Sequence, residues 1–191
     1  RLMTLRFLLP LLLATVPLAA SAQLAAAQTR LKTAVTEVLS VADRTGNRSA
    51  LPEKIRPVLK KYVSFETMTK RAVGPGWRQF TPAQQQQASQ LFSTLIIRSY
   101  SSKFTPGEHP DITYQAATEP ASGRVDVPTS MVYKGSHYTV IYRMEQMLIT
   151  DVVIEGVSLI ANYRSQLDAQ FKKGGANAVI SSLTQSVSRP Q

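Results

Sequence analysis

From Ile112 to Ile154 the spacing of apolar residues changes from a helical rhythm to alternation, and this change bounds the fold more than any other feature. Val125, Val127, Thr129, Met131 and Tyr133 share one face of an extended chain, and so do Tyr138, Val140, Tyr142 and Met144. Ile112, Tyr114 and Ala116 form a shorter run of the same kind, while Met147 to Ile154 is apolar on both faces. Lys134-Gly135 and Glu145-Gln146 stand where hairpin turns belong. Pro128, which has no N–H to give a ladder, marks an edge or a bulge. The pattern predicts a four-stranded antiparallel meander.

Helical stripes flank it. Leu24, Leu31, Val35, Val38 and Ala42 make one, stopped at Gly46. A second helix spans Pro52 to Tyr62, interrupted or restarted at Pro57. Ser64 caps a short third, with Phe65, Met68 and Val73 inward, and Gly74-Pro75-Gly76 breaks it. Thr81-Pro82-Ala83-Gln84 starts a fourth with a capping box, and its apolar face carries Ala88, Leu91, Phe92, Leu95, Ile96 and Tyr100 to about Lys103. After the strands, Ser158 to Lys172 and Ala176 to Val187 form two helices divided by Gly174-Gly175. The expectation is an α+β fold: helices first, a curved sheet in the middle wrapped on one face by helices, and two C-terminal helices.

The first residues have another character. Arg1 and Arg6 flank an uncharged run from Phe7 to Leu18, followed by Ala20-Ser21-Ala22. A basic start, a short apolar stretch and a small-x-small site describe a secretory signal peptide over residues 1–22, cut after Ala22. A membrane anchor is the competing reading, but the run is short against the roughly 20 residues a spanning helix needs. Residues 23–191 then form a single domain with no linker or repeat. The chain has no cysteine, which excludes disulfides and suits a periplasmic protein whose core suffices for stability. The formal net charge is +10, and loss of the leader would remove two arginines and no acids. A basic exported protein is drawn to anionic head groups or acidic partners, although net charge also serves solubility.

Motifs for chemistry are missing. No P-loop is present, and Gly74-Pro75-Gly76 follows a helix rather than a strand. His109 and His137 stand alone, without metal-ligand spacing, so no metal or cofactor is expected. Ser158 reads as a helix cap, and no histidine–aspartate arrangement points at it. The basic residues are scattered rather than striped with aromatics, which argues against nucleic acid.

Two stretches are distinctive. The first runs Phe65-Glu66-Thr67-Met68-Thr69-Lys70-Arg71-Ala72-Val73-Gly74, with Trp77-Arg78 after it, then Thr81 and the helix to Tyr100. The second runs Asp151-Val152-Val153-Ile154-Glu155-Gly156-Val157-Ser158-Leu159, then Asn162-Tyr163-Arg164-Ser165-Gln166. Together they resemble the toluene-tolerance (MlaC) family, the periplasmic phospholipid-binding component of the lipid-asymmetry ABC transport system. The likeness covers nearly all of the chain after the leader. It departs at Met144-Glu145-Gln146-Met147-Leu148, which lacks that family's Gly-x-Trp-like turn. The resemblance implies a non-enzymatic, monomeric carrier that buries acyl tails and shuttles phospholipid between an outer-membrane lipoprotein complex and an inner-membrane ABC transporter complex.

On that footing Phe65, Met68, Leu91, Leu95, Val127, Met131, Val140, Tyr142, Val152, Ile154, Leu159 and Tyr163 are candidates to line a lipid pocket. Ordinary core packing is the alternative fate for each. Arg71, Arg78, Arg98 and Arg164 are candidate contacts to a head group or a docking partner, with Arg164 also placed to pair with Asp151 or Glu155. Three competing readings remain: a carrier of a hopanoid or other apolar molecule, a cone-shaped isomerase-like enzyme using Asp126 or Asp151, and a protein-binding scaffold with a filled core.

Overall fold

The computed structural model describes residues 18–189. Most of the predicted leader lies outside them; its last residues, from Leu18, open the first helix. The chain runs α1 (Leu18–Thr45), a 3-10 turn, α2 (Leu51–Tyr62), α3 (Phe65–Val73), a second 3-10 turn (Gly74–Gln79) and α4 (Pro82–Ser101). Six strands follow: β1 (Asp111–Tyr114), β2 (Thr118–Ala121), β3 (Arg124–Tyr133), β4 (Ser136–Glu145), β5 (Leu148–Ile154) and β6 (Val157–Ser158). Helix α5 (Leu159–Ser188) closes the fold.

Local chemistry sets the helix ends. Ser64 Oγ accepts from Thr67 N–H at the start of α3. Thr81 and Gln84 exchange both bonds of the capping box. Ser158 Oγ accepts from Ala161 N–H, as its reading as a cap required. Helix α2 continues through Pro57 rather than restarting there. The two helices expected at the C-terminus follow one another as α5, divided by a kink at Gly174 and Gly175, which both leave helical geometry.

All the strands pair antiparallel in the order β1-β3-β4-β5-β6, with β2 also paired to β3. The sheet therefore has six strands where alternation predicts four. The added two carry no stripe to detect: β2 is exposed throughout, and β6 is two residues long. Pro128 sits within β3 opposite Ile141 of β4, and the strand on its other side breaks there. Strand β1 ends at Tyr114, opposite Thr129, and β2 begins at Thr118, opposite Asp126. A residue with no N–H thus falls at the gap between two partners. The β3–β4 hairpin turns on Lys134-Gly135, both with positive φ. The next hairpin turns on Gln146-Met147, also both positive, one residue later than Glu145-Gln146.

The odd-numbered residues of β3 and the even ones of β4 face the helices. Val125, Val127 and Met144 bury against Ala27 and Leu31 of α1, with Ile149 of β5 in the same cluster. A second core joins α3, α4 and α5 through Met68, Val73, Phe92, Ile96, Leu167 and Leu183. Val63 bridges to Ile149, which sets the α2–α3 junction beside β5.

An apolar cavity between sheet and helices

The two cores, with smaller clusters around Tyr62 and around Ile97, leave a gap between them. A partly enclosed cavity of about 300 Å³ opens where the inner sheet face meets α1, α2 and the last turn of α4. Helix α1 supplies Leu31, Val35, Val38 and Leu39, and α2 supplies Leu51, Ile55 and Leu59. Ile96, Ile97 and Phe104 come from α4 and the segment after it, and Ile112, Ile149 and Ile154 from the sheet. Among the described residues no lysine or arginine lies on this wall, and its one charged side chain is Glu108. A hydrogen bond from Lys134 holds the Glu108 carboxyl below the usual carboxylate range. The volume is at the low end for small-molecule sites, and the lining is of the apolar kind such sites use.

Tyr142 reaches the wall from the middle of β4. Burial, with a smaller contribution from Tyr114, pushes its hydroxyl pKa up to about 12. Tyr142 is half-buried. The surface it exposes faces the cavity, which has little polarity to offer a phenolate.

Of the residues that sequence proposed for a pocket, Phe65, Met68, Met131, Val140, Tyr142, Val152, Ile154 and Leu159 line this cavity. Val127 is instead fully buried beneath α1. Leu91, Leu95 and Tyr163 pack into the α3–α4–α5 core, where Tyr163 meets Phe92 edge to face at 5.3 Å. Periodicity identifies an inward face, and an inward face on this fold divides between cavity and solid core. The α1 and α2 residues were the largest omission. Their stripes were legible, but nothing in the spacing says which partner a stripe meets.

None of the four candidate arginines reaches the wall. Arg71 donates to Glu145 Oε2 at 2.7 Å, and this bond holds the Glu145 carboxyl low. Arg98 donates to the Val187 carbonyl. Arg78 is exposed in the second 3-10 turn. Arg164 lies against Gly74, where an added Cβ would sit 3.3 Å from its guanidinium. The proposed Arg164–Asp151 pair does not form, because Asp151 pairs with Arg143 at 3.0 Å. Glu155 is likewise engaged, accepting from Thr139 N–H.

Asp126 and Asp151 lie on the sheet face away from the cavity. Register aligns Asp126 with Arg143 and Arg143 with Asp151, a ladder across three strands. Asp151 also accepts from Ser158 Oγ at 2.7 Å and from the N–H groups of Val152 and Ile160. These carboxylates bind strand to strand and strand to helix. Outside, an open groove of about 610 Å³ runs past Lys60, Glu66, Gln86 and Gln90 and shares Val63 and Phe65 with the cavity wall. Its lining mixes polar and apolar side chains, and it lies more open than the cavity.

An antiparallel sheet roofed by helices, with an almost wholly apolar chamber between them, defines an α+β cavity protein. A family model described as "MlaC protein" matches residues 29–185, and the chain belongs to the MlaC family. In structure it is similar to a phospholipid-binding protein from Ralstonia solanacearum, solved in complex with a phospholipid. The two share 27% identity and a TM-score of 0.76 over 84% of this chain and 96% of that one. A search of curated proteins finds no significant match. Among the described residues no helix is long and apolar enough to cross a membrane.

Proposed function

We propose that this protein binds phospholipid with acyl chain buried in the cavity, and carries it through the periplasm between an outer-membrane lipoprotein complex and an inner-membrane ABC transporter complex. The observation that carries the reading is the chamber itself, an apolar space between sheet and helices with no cation among the described residues of its wall. Family membership and the phospholipid complex of the Ralstonia solanacearum protein support it.

The energetics favour a carrier. Burying a methylene is worth about 0.8 kcal/mol, so two sixteen-carbon tails resist water by roughly 25 kcal/mol. A wall as apolar as a bilayer makes transfer nearly neutral, and direction must come from a partner. The cleaved leader over residues 1–22 belongs to the same proposal, since it would deliver the chain to the periplasm. The acid–base reading loses its residues, because Asp126 and Asp151 face away from the cavity and are paired with Arg143.

Native mass spectrometry of the mature protein from a bacterial periplasm, with lipid analysis of its extract, tests the reading. A stoichiometric phospholipid adduct is expected. A hopanoid adduct would change the cargo, and a protein that stays bare after incubation with liposomes would overturn the proposal. Met131→Asp places a carboxylate on the wall, and retained lipid should fall at least tenfold in a folded variant, since an unpaired buried charge costs several kcal/mol.

A further inference from the structure

The polar side chains on the cavity wall are Tyr62, Tyr100, Ser101, Thr105, Glu108 and Tyr142. Four of them have partners. Tyr62 donates to Glu37 at 2.7 Å, and Ser101 donates to the Arg98 carbonyl. Thr105 accepts from Lys134, and Glu108 accepts from Tyr133 and pairs with Lys134 at 3.0 Å. The hydroxyls of Tyr100 and Tyr142 have no hydrogen-bond partner among the described residues. Both residues are half-buried, and burial raises the pKa of both hydroxyls.

An unpaired hydroxyl on an apolar wall gains nothing from the protein, and a phenylalanine would fill the same space. Two of them on one wall, from α4 and from β4, call for an acceptor that the protein does not supply. We propose that the Tyr100 and Tyr142 hydroxyls donate hydrogen bonds to the ester carbonyls of the bound lipid, and so select ester-linked over ether-linked chains. The acceptor must be neutral. Among the described residues the only charge on the wall is a carboxylate, Glu108, and no cation stands there to meet a phosphate. Hydrocarbon tails offer no acceptor at all. Ester carbonyls are the neutral acceptors joined directly to the chains, so they enter with them. This inference rests on the phospholipid reading above.

The test uses delipidated full-length mature protein. It is offered an equimolar mixture of vesicles of a diester phosphatidylcholine and of its diether analogue with equal chains. Native mass spectrometry reads the loading ratio. The wild type should favour the diester by about twofold to tenfold for each hydroxyl, the range of one net hydrogen bond. Tyr100→Phe and Tyr142→Phe should each lower that ratio, and the double variant should load both lipids equally. The lipid-free variants should melt at or above the wild-type temperature, because no protein hydrogen bond is lost. Equal loading by the wild type, an unchanged ratio in the double variant, or a lower melting temperature of the lipid-free variants overturns the assignment. If the wild type loads neither lipid, the phospholipid reading falls with it; if it loads both equally, only this inference falls.

Discussion

At the scale of residues, the two stretches that carry the family likeness prove to be one construction. Asp151 gathers Arg143 from β4, Val152 N–H, Ser158 Oγ and Ile160 N–H, and so joins the sheet to the start of α5. The turn before Ser158 needs Glu155 and Gly156 at positive φ. The other stretch packs against the helix this clasp positions. A Cβ on Gly76 would lie 2.6 Å from the Phe171 ring, so only glycine permits that approach. Asp151 is 6% exposed, and an uncharged replacement would leave Arg143 short of a partner and turn an amide toward backbone donors. Asp151→Asn should lower stability by about 2 kcal/mol, within the range for leaving buried polar groups unsatisfied, because Arg143 itself is partly exposed. Ser158→Ala should remove about 1 kcal/mol with the cap. Urea denaturation of both variants gives the comparison, and equal losses would show that the charge does not matter. The spacing of Asp151 and Ser158 is visible in sequence. That they meet is not, because it depends on a turn and on the register of β5.

Elements show where periodicity carries information and where it stops. The runs with a buried face became α1 to α4, β1, β3, β4 and β5 near their expected bounds. The short strands β2 and β6 exist only because a neighbour offers a ladder, so their own residues do not announce them. The kink in α5 is a case where local chemistry decides. Gly175 holds φ 63° and ψ −151°, a region nearly closed to residues with a Cβ, and an added Cβ there would meet nothing within 4 Å. Any penalty at that site is backbone strain alone. Gly174 has φ −162°, extended backbone open to any residue, and its added Cβ would touch Ala178 at 3.1 Å. Gly175→Ala should therefore cost about 1–3 kcal/mol, and more than Gly174→Ala. Urea midpoints measure the order, and a reversed order would place the constraint in packing.

For the whole molecule, the organisation into helices, sheet and helices was legible because each element has a face that must be buried. The cavity was not, because it is a property of how two cores fail to meet. Leu95 and Val140 look alike in sequence, each an apolar residue on an inward stripe. One lies in the solid core of α3, α4 and α5, and the other faces the chamber. A chamber of this kind lacks the contacts that a filled core would have, since atoms along a void have no neighbours on one side. On the proposed reading a lipid tail would supply those contacts and bind only the folded chain. Mass action then stabilises the fold by about 2.7 kcal/mol when free ligand stands at 100 times its dissociation constant. For a domain of this size each kcal/mol moves the melting temperature by about 2–4 °C. Delipidated protein should therefore melt about 5–11 °C below the loaded form, and adding phospholipid should restore the difference. Differential scanning calorimetry of one preparation before and after lipid removal measures it. Identical melting temperatures would mean that the lipid does not occupy the interior between the two cores.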